Sequence, residues 1–302
     1  MSQKIEFLKV RDFGELITDT FVFIRQNLKQ LLICFFTFCG FFLLAYTLFA
    51  ALQQIKVATT VNSAFHDPNL YQPTSIFGSD RFAFFGIEYL LSMLMLVLNY
   101  VAMHVTMFSY ICIYKEKGNV PPTPQEVWGY FKYYFFKILG SSILLGILLI
   151  FATALCLIPG IYLWPIFSLI IPIMIFENTS FGYAFNRSFK LIKDNWWTTF
   201  GALFVMGIIV YVISLVIVMP AALINMVNLL MHATKGAHLS VITSIVTAVL
   251  GGIAHIFYFL PLILVSLCYF SLTEQMDSTG LMGRIDQLGT TGPDNSSPTE
   301  EY

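Results

Sequence analysis

The stretch LLICFFTFCGFFLLAYTLFAAL, Leu31–Leu52, holds 22 residues without one charged side chain. A bilayer hydrocarbon core of about 30 Å needs about 20 helical residues at about 1.5 Å each, so this stretch reads as a transmembrane helix. Working outward, five further apolar runs follow: Phe82–Tyr114, Ile138–Leu157, Ile161–Phe176, Thr198–Val218 and Ser240–Ser271. The shortest, Ile161–Phe176, is joined to its predecessor only by Ile158, Pro159 and Gly160. A tight Pro-Gly turn there makes the two runs a helical hairpin. Pro165 and Pro172 should kink the second limb, which membrane helices tolerate when neighbours satisfy the freed carbonyls. The expected fold is all-α, a polytopic membrane protein of six spans in one helical domain over residues 1–275, with a disordered tail over 276–302.

Composition agrees with that reading. Charged residues make up 11% of the 302, against about 25% in soluble domains, and 57% are hydrophobic, more than a water-soluble core absorbs. A net charge of −1 gives no basic surface for phosphate backbones, so nucleic acid is excluded as a partner. The five cysteines, Cys34, Cys39, Cys112, Cys156 and Cys268, each sit in an apolar run without C-x-x-C or ligand spacing, and read as small buried hydrophobes. The first run is too long for the apolar region of a signal peptide and is expected to be retained.

Orientation follows from the basic residues. Thirteen of the 16 Lys and Arg fall before the first run, between runs two and three, between runs four and five, or in the tail; Lys56, Arg81 and Lys235 fall on the other side. The positive-inside rule then puts both termini in the cytoplasm.

Runs two and six exceed the hydrocarbon thickness, as does run five if the segment beyond Pro220 is added. In that segment Asn225, Asn228 and His232 oppose Leu223, Val227, Leu230 and Met231, the pattern of an outer amphipathic piece. Gln53–Arg81 lacks clear periodicity and reads as an irregular outer loop.

Three amphipathic stretches on the basic side lead into spans. The first has Phe13, Leu16, Ile17, Phe21, Ile24 and Leu28 on one face, with Asp12 at the N-cap three residues before Glu15. The second opens Thr123-Pro124-Gln125-Glu126, a cap followed by Pro at the first helical position. The third sets Phe181, Ala184, Phe185, Ser188, Phe189 and Ile192 against Arg187, Lys190 and Lys193. All three are expected as helices lying in the interface. The first and third agree at five of fifteen positions over residues 13–27 and 181–195, which suggests a repeated unit of one interfacial helix and two spans.

Leu157-Ile158-Pro159-Gly160-Ile161, Glu177-Asn178, Ala184-Phe185-Asn186-Arg187-Ser188 and Asn195-Trp196-Trp197 together resemble a bacterial membrane family. It is the family named after the membrane domain of glycerophosphoryl diester phosphodiesterases, whose relatives include the YciC-like multi-pass proteins. The resemblance covers about Asp12–Ser271 and implies an all-helical inner-membrane protein of poorly defined function. No phosphodiesterase domain accompanies it, so the family's name implies no activity here.

Candidate chemistry is sparse. Glu88, Ser92, Asn99, Thr106 and Tyr110 share one helical face, a polar stripe that either lines a path or packs helix on helix; packing is the favoured reading. His255 lies on a face with Ser244, Gly251, Phe259 and Ser266 and, without a carboxylate or second His beside it, is read as an interhelical hydrogen-bonding group. No H-E-x-x-H, G-x-S-x-G or P-loop occurs, so neither metal, cofactor nor catalytic site is expected. Glu177 and Arg187 either pair or stand as separately solvated charges. Arg25, Lys29, Lys132, Lys137, Arg187, Lys190 and Lys193 are placed to touch lipid headgroups, or serve only to set topology. Three functions are carried from these residues, in this order: a non-enzymatic accessory or scaffold binding another membrane protein or lipid, a transporter or lipid-moving protein, and an intramembrane enzyme.

Overall fold

The computed structural model describes residues 5–66, 86–155, 157–235 and 241–277. Every element among them is helical. In chain order they are α1 (Phe13–His66), α2 (Ile87–Glu116), α3 (Pro124–Leu155), α4 (Leu157–Ser168), α5 (Ile170–Phe176), α6 (Phe181–Ile192), α7 (Trp196–Lys235), α8 (Val241–Ile256) and α9 (Phe259–Asp277). Six helical segments, counting α4 with α5 and α8 with α9, are long and apolar enough to cross a membrane, and the chain is a multi-pass membrane protein.

The buried centre lies toward one end. Val101–Tyr114 of α2, Ile170–Ile175 of α5 and Phe259–Leu272 of α9 are almost wholly buried, with Phe23, Leu31 and Phe35 of α1 against them. By contrast α3 and α7 are peripheral: only 17% and 22% of their most apolar stretches are buried, against 61% across α4 and α5. The N-terminal segment and the end of α9 meet at the well-packed end, where the Arg11 amide donates to Ser271 Oγ at 2.9 Å. Nearly all the described basic side chains gather there, and we call it the basic end.

Several boundaries differ from the sequence reading. Helix α1 does not stop at Leu52 but continues to His66, so residues 53–66 are helix and not irregular loop. No Gly or Pro occurs between Leu52 and Pro68, so nothing interrupts propagation, and Lys56 is held at 3.2 Å by Glu88 of α2. The remainder of that loop, residues 67–85, and the tail from 278 lie outside the described residues, while Met276 and Asp277 belong to α9.

Runs three and four are separate helices, but α3 ends at Leu155 and α4 begins at Leu157, so Pro159 sits in the first turn of α4, where its missing N–H breaks no intrahelical bond. That second limb is interrupted at Leu169. Pro172 has no N–H for the Ser168 carbonyl, and the Leu169 amide turns back to Ile166 at 3.2 Å. Ser168 Oγ donates to the Pro165 carbonyl at 2.7 Å, supplying the bond the ladder lost.

Run six is likewise two helices and not one. Pro261 lies four residues after Phe257, and the chain between α8 and α9 closes with short-range bonds, Phe257 to Ala254 and Tyr258 to His255, each 3.2 Å. Run five behaves the other way: α7 passes through Pro220 without a break to Lys235. The segment beyond it is an extension of the span, with Asn225 Nδ2 donating to Thr247 Oγ1 of α8 at 3.0 Å while Leu223, Val227 and Leu230 stay exposed. The side chains of Asn228 and His232 lie outside the described residues.

Of the three amphipathic stretches, only the third stands as its own helix, α6; the other two run unbroken into α1 and α3. The repeat therefore does not extend to element boundaries. Lys193-Asp194-Asn195 forms the turn that separates α6 from α7, since Asp and Asn side chains compete with helical bonding, whereas Arg25-Gln26-Asn27 stays helical with Asn27 Nδ2 bonded to the Phe23 carbonyl at 3.1 Å. Both expected caps are present. Asp12 Oδ1 accepts from the Glu15 amide at 2.7 Å, and Glu126 Oε2 accepts from the Thr123 amide at 2.8 Å.

Candidate functional site

The polar stripe of α2 divides once its neighbours are in place. Glu88 is bound by Lys56, and the Ser92 hydroxyl donates to its own helix at Tyr89. Thr106 Oγ1 is 3.9 Å from Cys39 Sγ on α1. Glu88 and Thr106 thus tie α2 to α1, as interhelical polar groups in membranes do, while Ser92 is satisfied within its own helix. Asn99 is different: it is completely buried and neither side-chain amide atom has a partner among the described residues. Tyr110, also fully buried, has a hydroxyl without a partner among the same residues.

His255 sits in the last turn of α8, two residues before the break at Phe257. Its ring lies 5.0 Å from that of Tyr46 on α1, 5.8 Å from Tyr100 on α2 and 5.2 Å from Tyr258 at the break itself. Nδ1 faces the Gly251 carbonyl at 3.3 Å, and Nε2 is buried without a partner among the described residues. The structure thus surrounds His255 with three tyrosines from three elements, where sequence reading had no partner for it. Their positions carry no shared periodicity, which is why the cluster was invisible before the helices were packed. The approach is close: Gly252, three residues before His255, lets α8 reach α1 so nearly that an added Cβ would overlap Thr47 Cγ2.

At the basic end Arg187 reaches two carboxylates. Its Nε is 3.6 Å from Glu177 Oε1, its Nη2 bonds Asp277 Oδ2, and Tyr269 Oη donates to Glu177 Oε1 at 2.9 Å. Glu177 and Arg187 are therefore a pair, with Asp277 a third member that the sequence did not single out. Burial disfavours the charge on Arg187, yet the hydrogen bond and charge of Asp277, with Glu177 behind them, hold its pKa above the ordinary arginine value. Arg187 consequently leaves the group facing headgroups. Arg25, Lys29, Lys132, Lys190 and Lys193 are exposed, and Lys137 is half-buried with its ammonium 5.6 Å from the Tyr134 ring centre.

Arg11 is a second internal cation. Its side chain is fully buried, with Nε donating to Asp19 at 2.8 Å and Nη1 to the Phe7 and Lys9 carbonyls. Phe7 in turn packs edge-on against Phe23, Tyr114 and Phe270. Residues 5–12 thus form a plug among α1, α2 and α9, which reading by periodicity cannot find in a segment without regular structure.

Among the described residues no group of three or more His, Cys, Asp or Glu is placed to hold a metal ion. Cys34, Cys39, Cys112 and Cys268 are free and buried.

No family model matches the chain. No curated protein and no solved structure matches it significantly either. The arrangement therefore has to be read on its own geometry, which offers two features beyond packing: the His255 tyrosine cluster beside a helix break, and a membrane surface concentrated on α3 and α7.

Proposed function

We propose that the protein is a non-enzymatic accessory or scaffold of the bacterial inner membrane, with both termini cytoplasmic, that binds another membrane protein or lipid through the outer faces of α3 and α7. The observation carrying this reading is the contrast in burial. Helices α2, α5 and α9 form a packed centre, while α3 and α7 hold little of their apolar surface against the rest of the chain: Ile150 and Phe151 of α3 and Tyr211 and Val216 of α7 are each more than 60% exposed. Such faces take lipid or another helix, and helix pairing in bilayers depends on packing and polar contacts more than on burial from water. The membership suggested by Leu157–Trp197 belongs to this proposal, and an all-helical inner-membrane protein is what that resemblance implies.

The test is site-specific photo-crosslinking in native membranes, with the reactive residue at Ile150 or Val216 and, as reference, at Leu44 on α1. A discrete protein adduct from the first two positions and not from Leu44 supports a scaffold. Equal labelling by lipid at all three positions removes it.

One observation favours a second reading, a protein that moves lipid or solute. Discontinuous helices whose break lies beside buried polar groups are a common construction of transport sites. Here the α8–α9 break adjoins His255, with the unpartnered Asn99 next in sequence to its neighbour Tyr100.

A further inference from the structure

The basic end contains one region of opposite character. Between the end of α2, the start of α3 and the end of α5 lies a bowl of about 550 Å³, lined by Glu116, Glu126, Tyr130, Tyr133, Tyr134 and Asn178, with Ile175 and Phe176 forming apolar lining. Its volume is that of a small-molecule site. Its aromatic walls are held in place: Tyr130 Oη donates to Glu116 Oε2 at 3.2 Å, Tyr134 Oη donates to Asn178 Oδ1 at 2.8 Å, and Tyr133 stands edge-on to Tyr134 with ring centres 4.8 Å apart. Asn178 reaches its position through a left-handed backbone, φ 48°.

The two carboxylates are not equivalent. Glu126 is paired with Lys117 at 2.6 Å and accepts the Thr123 amide. Glu116 receives only neutral donors, Tyr130 Oη and, at 3.6 Å, Cys112 Sγ, and it stands in no ion pair among the described residues. The nearest lysine in sequence, Lys115, directs its ammonium over the Phe270 ring at 4.6 Å instead. The lining itself holds two carboxylates and no basic residue: Glu126 is paired with Lys117, while the charge of Glu116, beside several aromatic faces, feels Lys115 only through space. An anion is repelled by that charge, and a metal ion finds one available carboxylate. A cation with a methylene or methyl surface suits both the charge and the rings, because the π-face attracts an ammonium and the ring body covers its alkyl groups.

We propose that this bowl binds an alkylammonium group. The chain provides an internal precedent, since the Lys137 ammonium already lies 5.6 and 6.0 Å from the Tyr134 and Tyr133 ring centres without lining the bowl itself. Two sources present this chemistry at a membrane surface, the amine headgroup of a zwitterionic lipid and a soluble amine. The site is separate from the exposed stretch Ile143–Phe151 of α3, and its test does not depend on what that stretch binds.

The full chain is placed in nanodiscs of phosphatidylglycerol alone, and tetramethylammonium is titrated against matched sodium chloride with saturation transfer to its methyl protons as the signal. In a second arm, nanodiscs with equal phosphatidylglycerol and phosphatidylethanolamine are released into a mass spectrometer, and the retained lipids are counted. Glu116→Gln and Tyr133→Leu, both at exposed positions, should each weaken binding about tenfold, the scale of one cation–π contact or one charge at a partly desolvated site. Met93→Ala, near the opposite end of α2, should change nothing, and Tyr130→Phe, which keeps the ring but releases Glu116, should lose less than Tyr133→Leu. A tetramethylammonium signal weakened by the variants identifies a soluble-amine site. Enrichment of phosphatidylethanolamine that the variants remove, without a tetramethylammonium signal, identifies a headgroup site. Absence of both signals, or signals that survive Glu116→Gln and Tyr133→Leu in monodisperse protein, overturns the proposal.

Discussion

Arg187 on α6 lies 3.6 Å from Glu177 at the end of α5 while its other nitrogen is bonded to Asp277 at the end of α9. One side chain thereby joins three elements that are adjacent in space and 100 residues apart in sequence. The Arg187 side chain is 16% exposed, so its loss falls between the small effect of surface pairs and the larger one of buried pairs. Arg187→Gln should destabilise the detergent-solubilised protein by roughly 1–3 kcal/mol, and Asp277→Asn by less. In a double-mutant cycle the two changes should be clearly non-additive. Additive losses in thermal melts would mean that the clamp is not a unit.

The aromatic face of α6 is seated on the bundle, with the Phe185 ring 6.1 Å from Phe167 of α4 and 5.1 Å from Phe189. Phe185→Asp and Phe189→Asp should each cost about 1.5–3 kcal/mol from lost apolar burial, with the carboxylate adding to it. Lys190→Gln, at an exposed position, should cost at most about 1 kcal/mol. Folded yield and monodispersity after extraction measure this. Equal behaviour of the three variants would show that α6 is not packed on the bundle in the membrane.

At the α1–α8 crossing, Gly252→Ala places a methyl group where Thr47 Cγ2 already stands, and Thr47 is held by its hydroxyl to the Leu43 and Leu44 carbonyls. We expect a loss of about 1–3 kcal/mol from overpacking. Thr47→Ala added to Gly252→Ala should recover most of it, because the next contact, Thr47 Cβ at 3.5 Å, is ordinary. Failure of the second change to rescue would place the strain elsewhere.

Asn99 discriminates between the two functional readings. A buried amide without partners contributes only its desolvation cost, so Asn99→Leu should leave the melting temperature unchanged or raise it. A fall of several degrees, accompanied by loss of a cellular phenotype at normal abundance in both Asn99→Leu and His255→Phe, would mean that the cluster holds water or a passing ligand. The transport reading would then replace the scaffold.

The proposed orientation predicts activity of a cytoplasmic reporter fused after Gly118, Asp194 or Gly280, and of a periplasmic reporter after Asp67 or Gly236. A cytoplasmic signal from Asp67 would reverse it.

How far these features were legible depended on whether the cause was local. The six apolar segments, the two caps at Asp12 and Thr123, and the pairing of runs three and four as successive helices follow from composition and short spacing and are present, whereas the turn expected at Pro159-Gly160 is helix. Helix ends were harder: Gln53–His66 lacks a strong apolar period, yet it is helical because no breaker interrupts it and Glu88 holds it from another helix. The interruption at Phe257 was missed, although Pro261 was present to suggest it, because a long apolar run masks a local change in hydrogen bonding. Tyr46, Tyr100 and Tyr258 around His255 could be gathered only by tertiary packing, as could Arg11 and Ser271. Glu177 and Arg187 were open as a pair or as strangers, and ten residues of loop and helix decided it.

The contact between Arg11 and Ser271 also fixes an order of events during synthesis. Residues 5–12 leave the ribosome early, but the surface that covers them includes α9, in which Ser271 follows 260 positions later. Until then Phe7 has no Phe270 to meet, and the Arg11 backbone lacks the Ser271 hydroxyl. Seating of residues 5–12 is therefore a closing step in biogenesis, and a chain truncated before Ser271 leaves Phe7 and Arg11 open to proteases that the finished protein keeps away from them.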